Sequence, residues 1–244
     1  MATSKSRLLK ILDRLEKYHG KPKAAWPTDP YELVVLRNSG YPQSDSNCAK
    51  GFESLQKEIG IKPAQILDAP NAKLIKALRA GTMFPEIGAR RLKEIAAMVE
   101  DEFGGDLKSV LKRPVAEAKK VFKKFPTIGD PIADKILLFT KTAPVAAIPS
   151  NCVHVPLRLG FGTAGKNYAQ DYRAAQEAIR KEIPDDIAAH LRAYLLIKEH
   201  GQTLSKTARP KCDECPVTDE CLYFAATYGK ESKLRPAKTI SAKK

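Results

Sequence analysis

The sequence predicts an all-α protein, and three observations support this prediction. Apolar residues recur every three or four positions, as at Leu8, Ile11, Leu12 and Leu15, while charged residues occupy the intervening positions. No segment stands out by alternating apolar and polar residues over the length of a strand. Prolines and glycines separate the periodic segments at short intervals. We therefore expect roughly ten short helices, and we find no internal repeat.

The predicted helices follow in order along the chain. After the first apolar stripe, a second comprises Leu92, Ile95, Ala96 and Val99 and ends before Gly104. The same period recurs in four further segments, residues 115–122, 132–139, 172–183 and 187–200.

The charge balance narrows the partners to polyanions. The 244 residues include 42 Lys or Arg and 28 Asp or Glu, which gives a formal net charge of +14, and 43 % are apolar, enough for a core. A field of this sign favours nucleic acid or an acidic membrane surface. No apolar run approaches the ~20 residues of a membrane span, and residues 1–15 are too charged for a secretory signal. We expect a soluble intracellular protein with no membrane partner.

The most informative segment covers residues 116–140, where two amphipathic helices flank a Phe-Pro-Thr-Ile-Gly turn. Asp130 is placed to cap the second helix, and Pro131 suits its first turn. A tight turn that opens a helix presents backbone N–H groups to an anion such as a DNA phosphate. Nearby lysines would add positive charge: Lys119, Lys120, Lys123 and Lys124. A purely structural hairpin is the alternative.

Three of the five cysteines, Cys212, Cys215 and Cys221, form the pattern C-x2-C-x5-C. Thiolates at this spacing converge on one metal or cluster. An odd set with three members this close indicates metal binding rather than a disulfide framework, and a reducing compartment. Cys48 and Cys152 are expected to be single core thiols.

Together these features resemble the helix-hairpin-helix DNA glycosylases of the endonuclease III type. The resemblance extends from Asp29 to Tyr223 and includes residues 29–33, 126–129, 155–161 and 200–201 and the cysteine loop. It implies two helical lobes with double-stranded DNA bound across the cleft between them, the hairpin on the backbone and a damaged base flipped out. We assign residues 33–143 to one lobe, residues 1–32 and 144–227 to the other, and residues 228–244 to a disordered basic tail.

The resemblance also implies a set of DNA-binding residues. Gln43 occupies the region of a wedge that enters the base stack, and the loop before the cysteines carries further basic residues. The complete expected set is Gln43, Lys120, Lys123, Lys124, Thr127, Ile128, Gly129, Lys206, Arg209 and Lys211.

The family's catalytic positions do not carry the family's residues. Its nucleophilic lysine aligns with Pro131, and its aspartate aligns with Pro149. Substitutes would be Lys135, one helical turn beyond Pro131, Asp130, or a water held near Ser150 and Asn151. A structural role is the expectation for the first two: an exposed lysine at 135 and a helix cap at 130.

The family's fourth cysteine aligns with Ser205. Four states of the site follow: a [4Fe–4S] cluster with three cysteines and Ser205 or solvent on the fourth iron, a [3Fe–4S] cluster, zinc with His200, or no metal. A three-cysteine iron–sulfur cluster is the leading expectation.

Two main functional hypotheses result. The first is a monomeric DNA-binding protein of base excision repair that recognises damaged or distorted duplexes without the standard catalytic pair. The alternative is an active DNA glycosylase, with or without AP lyase activity, that uses non-standard residues. A DNA-binding sensor that responds to its metal site is a third hypothesis. The expected location is the cytoplasm, at the nucleoid if the source is prokaryotic.

Overall fold

The computed structural model describes residues 5–23 and 26–229, and these residues form twelve α-helices and no strand. The all-α prediction is therefore confirmed. Three short 3₁₀ segments also occur, at Lys108–Lys112, Cys212–Glu214 and Thr218–Glu220. None of the described helices is long and apolar enough to cross a membrane. Nearly all of the predicted basic tail, residues 230–244, lies outside the described residues.

The described residues divide into two compact units, one within residues 25–143 and one within residues 1–24 and 144–244. The first contains α2 (Pro30–Asn38), α3 (Asp45–Glu58), α4 (Pro63–Asp68), α5 (Asn71–Leu78), α6 (Pro85–Phe103), α7 (Val115–Phe122) and α8 (Asp130–Phe139). The second contains α1 (Arg7–His19), α9 (His154–Arg158), α10 (Tyr168–Glu182), α11 (Ile187–Thr203) and α12 (Leu222–Tyr228).

The first boundary between the units falls earlier than the predicted position at residue 33. Asp29 caps α2, since its Oδ1 atom accepts hydrogen bonds from the backbone N–H groups of Tyr31 (2.9 Å) and Glu32 (3.1 Å). The Tyr31 side chain is then buried. Because the start of α2 is capped and buried in this way, the turn before it belongs with the 25–143 unit.

The core of the 25–143 unit is built around α6. Its stripe of Leu92, Ile95, Ala96 and Val99 is fully buried, and α4 and α5 pack against this helix. The helix ends where the sequence predicts, with Gly104 in the left-handed region at φ 64°. Cys48 is 1 % exposed in this unit, which confirms it as a core thiol.

The core of the other unit is built on α1. Leu8, Ile11, Leu12 and Leu15 are at most 1 % exposed, and α1 packs against α10 and α11. Cys152 is also 1 % exposed, again a core thiol. The predicted stripe of α1 is therefore confirmed as a buried face.

Candidate nucleic-acid interface and cysteine pocket

The hairpin comprises residues 123–129, between α7 and α8. Phe125 and Ile128 anchor it, since their side chains are 2 % and 5 % exposed and the Ile128 N–H donates to the Phe125 carbonyl (3.2 Å). Gly129 is the exposed N-cap of α8, and no side chain caps this helix. Pro131 lies in the first turn of α8, as predicted. The N-terminus of α8 therefore opens directly from the hairpin, as an anion-binding turn requires.

Asp130 does not cap α8, contrary to the expectation from sequence, because two lysines of the preceding helix and turn hold its carboxylate. Its Oδ1 atom lies 2.9 Å from Lys123 Nζ and 3.2 Å from Lys119 Nζ. Burial raises the pKa of Asp130, but the hydrogen bonds from these two lysines outweigh that effect and leave the pKa below its usual value. Lys119 also pairs with the buried Asp134 at 2.8 Å. The carboxylates therefore offset much of the predicted positive charge at the hairpin.

Lys120 and Lys124 make weaker ion pairs than Lys119 and Lys123, or none among the described residues. Lys124 Nζ lies 3.6 Å from Glu102 Oε2, with both side chains largely exposed. Lys120 is exposed and has no ion-pair partner among the described residues. Because exposed pairs of this kind contribute little and exchange easily, these two lysines are the ones available to a phosphate.

Thr127 adopts a conformation that is unusual for its residue type. Its φ is 66°, in the left-handed region, which costs a non-glycine residue about 1–2 kcal/mol. Its hydroxyl donates to Asn38 Oδ1 (3.1 Å), and Asn38 Nδ2 donates to the Pro126 carbonyl (3.1 Å). Asn38 is the last residue of α2 and is 1 % exposed. A buried polar side chain therefore fixes the backbone of the hairpin.

Lys135 is not the exposed lysine expected from sequence. Its side chain is buried in α8, with Nζ 3.4 Å from the ring centroid of Trp26 and 5.7 Å from that of Phe139. An ammonium over the face of an indole is a cation–π contact. The expectation failed because Trp26 is remote from Lys135 in sequence.

Residues 149–151 contain the second family catalytic position, Pro149, and the two polar residues proposed to hold a water. Pro149 is buried, and its carbonyl accepts a hydrogen bond from the Cys152 N–H (2.8 Å). Asn151 is exposed, and the Ser150 carbonyl accepts a hydrogen bond from the Tyr168 hydroxyl (2.9 Å). The Asn151 amide oxygen accepts a hydrogen bond from the Cys152 thiol (3.4 Å).

The predicted wedge residue Gln43 lies in a tight turn, with its N–H donating to the Gly40 carbonyl (2.8 Å). Tyr41 of the same turn is flanked by two guanidinium groups, Arg37 at 4.5 Å and Arg91 at 5.3 Å from the ring centroid. The half-buried Gln43 amide therefore lies in the same turn as the Tyr41 ring, which carries a guanidinium group on either side.

Sequence reasoning missed a second group next to this turn. Met83 and Phe84 are 77 % and 47 % exposed at the start of α6, and Thr82 Oγ1 donates to the Tyr41 carbonyl (3.4 Å). Adjacent apolar residues before a proline would ordinarily be assigned to the core, so the signal in the sequence was weak. Exposed neighbouring apolar side chains are a feature of interaction surfaces.

The three clustered cysteines meet at one pocket of about 370 Å³, open solvent included. Cys212, Cys215 and Cys221 line it together with Ser205 and with His200 of α11. Among the described residues, no three Cys, His, Asp or Glu side chains stand close enough to hold a single metal ion. The wall of the pocket is nevertheless a soft donor set of three thiols and one imidazole, which suits iron–sulfur or zinc chemistry.

His200 connects the pocket to a second imidazole. Its Nε2 atom lies 3.9 Å from Cys215 Sγ, and its Nδ1 atom lies 3.5 Å from His19 Nε2. Burial lowers the pKa of His200 to about 4 and raises the pKa of the Cys215 thiol to about 11. In this arrangement the imidazole is neutral and the Cys215 thiol is protonated at neutral pH, so a metal or cluster would have to displace the proton on binding.

Arg158 organises the loop that precedes the cysteines. Its Nη1 atom donates to Ser205 Oγ (3.2 Å) and to the Lys206 carbonyl (2.8 Å), and its Nη2 atom donates to the Thr207 carbonyl (3.0 Å). Its guanidinium also stacks on Tyr223 at 4.4 Å. Ser205 is thereby held at the pocket, where the resemblance aligns a fourth ligand.

The basic residues of this loop face solvent. Lys206 and Arg209 are exposed, and the exposed Lys211 pairs with Glu214 at 3.4 Å. They lie in the 1–24 and 144–244 unit, whereas the hairpin lies in the other unit. The predicted DNA-binding residues therefore fall into two groups, one on each unit.

Comparison with known proteins identifies similar chains. No protein-family model matches the sequence. It is 26 % identical over 193 residues to endonuclease III of Sulfolobus acidocaldarius, covering 78 % of this chain and 79 % of that protein. It is 21 % identical over 203 residues to endonuclease III of Thermotoga maritima, covering 83 % and 87 %.

Two solved structures of DNA-repair proteins have a fold similar to that of this chain. A trapped endonuclease III–DNA covalent intermediate superposes with a TM-score of 0.71 at 19 % identity, covering 94 % of this chain and 98 % of that one. A thermostable thymine-DNA glycosylase superposes with a TM-score of 0.68 at 17 % identity, covering 89 % and 96 %. The similarity thus extends over both units rather than over the hairpin alone.

Proposed function

The chain belongs to the endonuclease III-like superfamily of helix-hairpin-helix DNA glycosylases, and from this premise we propose that it binds damaged or distorted double-stranded DNA without the standard catalytic pair. The observation that carries the proposal is a retained hairpin combined with prolines at both family catalytic positions. Pro131 has no nucleophilic group, and Pro149 has no carboxylate. The protein would hold DNA but lack both groups on which the family's chemistry depends.

The DNA backbone would contact the hairpin and the lysines beside it. Gly129 leaves the start of α8 open to a phosphate oxygen, and Thr127 and Ile128 shape the turn before it. Lys120 and Lys124 supply exposed positive charge. On the other unit, Lys206, Arg209 and Lys211 would add contacts of the same sequence-independent kind.

Distorted DNA would be recognised at the turn that contains Gln43. Met83 and Phe84 lie beside this turn and are exposed, and apolar side chains of this kind enter base steps that are already weakened. Since unstacking costs least at a mismatched or damaged pair, such a wedge would favour damaged duplexes over intact ones.

For the cysteine pocket we propose an iron–sulfur cluster rather than a single metal ion, since no three donor side chains among the described residues stand close enough to share one ion. Cys212, Cys215 and Cys221 would be the thiolate ligands, with Ser205 or solvent at the remaining iron, in either a [4Fe–4S] or a [3Fe–4S] form. Such a cluster supplies electron-transfer capacity and cross-links the loop that it binds. Zinc with His200 is the competing donor set. The five cysteines form no disulfide bond within the described residues, and a reducing, cytoplasmic location remains part of the proposal.

The test is a combined binding and strand-cleavage assay on labelled duplexes that carry an abasic site or oxidised, deaminated or alkylated bases. We expect retarded bands with tighter binding to damaged duplexes, and no cleavage above that of the protein-free control. The abasic duplex, which hot alkali cuts by itself, is read without alkali, and the duplexes with a damaged base are read with and without it. Cleavage only after alkali would mean base removal and would overturn the non-catalytic proposal. Equal, salt-insensitive binding to all duplexes would overturn recognition of DNA through phosphates.

A second candidate function, an active glycosylase with lyase activity, is favoured by one observation, the burial of Lys135. A lysine in an apolar pocket can act as a nucleophile once it loses its proton. Its amine would attack C1′ of an abasic aldehyde and release water to form an imine. The contact with Trp26 acts against this, because it stabilises the ammonium form.

Borohydride trapping on an abasic duplex distinguishes the two functions. Reduction of an imine would leave a covalent protein–DNA adduct, and Lys135→Arg is the matched control because it keeps the positive charge over Trp26 without a reactive amine. An adduct with the wild type that is absent with Lys135→Arg would establish Lys135 as the nucleophile. No adduct with either protein would exclude this second function.

A further inference from the structure

We infer that Asn38 is a positioning residue for DNA binding: with Thr127, it forms a clamp that holds the hairpin in its phosphate-binding conformation. The inference rests on the proposed DNA-binding function and assigns a role to Asn38, which lies outside the motifs that carry the family resemblance. The clamp is defined here as the Asn38 side chain, the Thr127 hydroxyl and the Pro126 carbonyl.

The strained residue lies at the centre of the clamp. Thr127 is β-branched and has a φ of 66°, a conformation that such residues avoid. Residues held in sparsely populated conformations persist only where their surroundings determine them, and they cluster at ligand clamps. Thr127 comes two residues before the N-cap of α8, so its φ sets the direction in which Gly129 and the first turn of that helix point.

The hydrogen bonds of Asn38 are nearly all committed to this arrangement. Its amide group donates both to the Val34 carbonyl in α2 (3.0 Å) and to the Pro126 carbonyl (3.1 Å). Its carbonyl oxygen accepts from the Thr127 hydroxyl (3.1 Å). The side chain is 1 % exposed, so its carbonyl oxygen and one of its amide N–H groups would lose their partners if the hairpin moved.

The clamp transmits the position of α2 to the hairpin. The Val34 bond fixes the Asn38 amide to α2, and the two hairpin bonds fix Pro126 and Thr127 to that amide. Buried Phe125 and Ile128 anchor the turn on either side, and the hydrogen bond from the Ile128 N–H to the Phe125 carbonyl closes it around Thr127. Without the clamp, we expect the turn to relax toward ordinary backbone conformations and the phosphate contact to weaken.

Ser39→Ala is the matched control for Asn38→Ala. Ser39 is the neighbouring residue, is fully buried, and donates its side-chain hydrogen bond to the Val35 carbonyl (2.8 Å) rather than to the hairpin. Both variants lose a buried hydrogen bond to α2. The variant at Asn38 alone loses the hairpin contacts, so any difference between the two in DNA binding belongs to the clamp.

The first measurement is the salt dependence of binding to one abasic duplex. We expect Asn38→Ala to lower the magnitude of the log–log slope by about 0.9, the loss of one phosphate, while Ser39→Ala leaves the slope unchanged. Equal slopes and affinities for the two variants would overturn the clamp.

Variants at Thr127 keep the inference testable if Asn38→Ala does not fold. Thr127→Val removes the hydroxyl but keeps the branched side chain, so it loses the bond and retains the strain. Thr127→Gly loses the same bond but tolerates a positive φ. We expect Thr127→Val to bind more weakly than Thr127→Gly, and wild-type binding by Thr127→Val would overturn the clamp.

A readout without DNA separates this inference from the proposed function. Amide hydrogen exchange of the segment 125–129 should be faster in Asn38→Ala than in Ser39→Ala, because the Ile128 N–H is bonded across the turn. Faster exchange in a protein whose wild type shows no salt-dependent binding would support the clamp and reject the DNA-binding function. Unchanged exchange in Asn38→Ala, in a protein whose wild type does bind DNA, would reject the clamp and support the DNA-binding function.

Discussion

Lys123 Nζ lies 2.9 Å from Asp130 Oδ1, so the lysine after α7 and the first residue of α8 pair across the mouth of the hairpin. A phosphate bound at the start of α8 would meet this carboxylate and would compete with it for Lys123. Both side chains are about two-fifths exposed, so the pair is held weakly enough to be opened by a ligand.

We therefore expect Asp130→Asn to bind duplex DNA more tightly, by about threefold at low salt, because one unit of negative charge a few ångströms from a phosphate costs less than 1 kcal/mol in water-like surroundings. The gain should shrink at high salt. Fluorescence anisotropy of a labelled duplex measures it. Asp106→Asn is the control, since it also removes a carboxylate that pairs with a lysine, Lys108 at 3.7 Å, in the same unit but outside the proposed DNA-binding set. Weaker binding by Asp130→Asn would mean that the carboxylate organises the site rather than opposing it.

The double variant Lys120→Glu with Lys124→Glu should weaken binding to any duplex, damaged or intact. Loss of two phosphate contacts lowers the magnitude of the salt slope by about 1.8. The control is Lys73→Glu with Lys76→Glu, which makes the same charge change at two exposed positions of α5. If both double variants lose the same affinity, the effect is one of net charge and the hairpin lysines have no special role.

Substitution of Cys215 by serine should reduce metal content. Cys215 lies between the other two cysteines in the motif and contacts His200 in the pocket. Iron and zinc content per chain, together with the visible absorption of the protein as purified, measures the effect. Cys48→Ser is the control, since that thiol is buried in the other unit. Cys215→Ser with unchanged metal content and unchanged melting temperature would remove the pocket from consideration as a metal site.

The sequence predicted what depends on local pattern. The stripe from Leu8 to Leu15, the α7–turn–α8 order around Gly129 and the convergence of three cysteines all follow from spacing within a few residues. Helical periodicity and turn residues determine these features regardless of what packs against them.

The remaining features depend on contacts between distant segments, which a single sequence does not reveal. Asp130 matches a helix cap in pattern, yet the lysines of α7 and the turn draw its carboxylate away from the backbone. Lys135 matches a solvated lysine until Trp26 covers it. Thr127 gives no sign of a left-handed conformation until Asn38 is placed beside it.

Stability should fall in mild acid, in part because of His190. This side chain is 3 % exposed, and its Nδ1 atom is buried without a hydrogen-bond partner among the described residues. Burial lowers the pKa of His190, and the nearby Asp185 and Asp186 only partly oppose that effect. Below about pH 6.5 the His190 imidazole is therefore protonated in the unfolded chain, whereas it stays neutral in the native state.

The stabilisation associated with neutral His190 is thus complete above that pH and is lost as the pH falls toward the native pKa, by about 1.4 kcal/mol for each unit between the two pKa values. Urea unfolding between pH 5.0 and 7.5 measures the free energy of unfolding, and His190→Gln should flatten its decline over this range. The other three histidines remain in the variant and set the residual slope. Parallel curves for wild type and variant would mean that His190 ionises alike in the native and unfolded states, in contradiction to its burial.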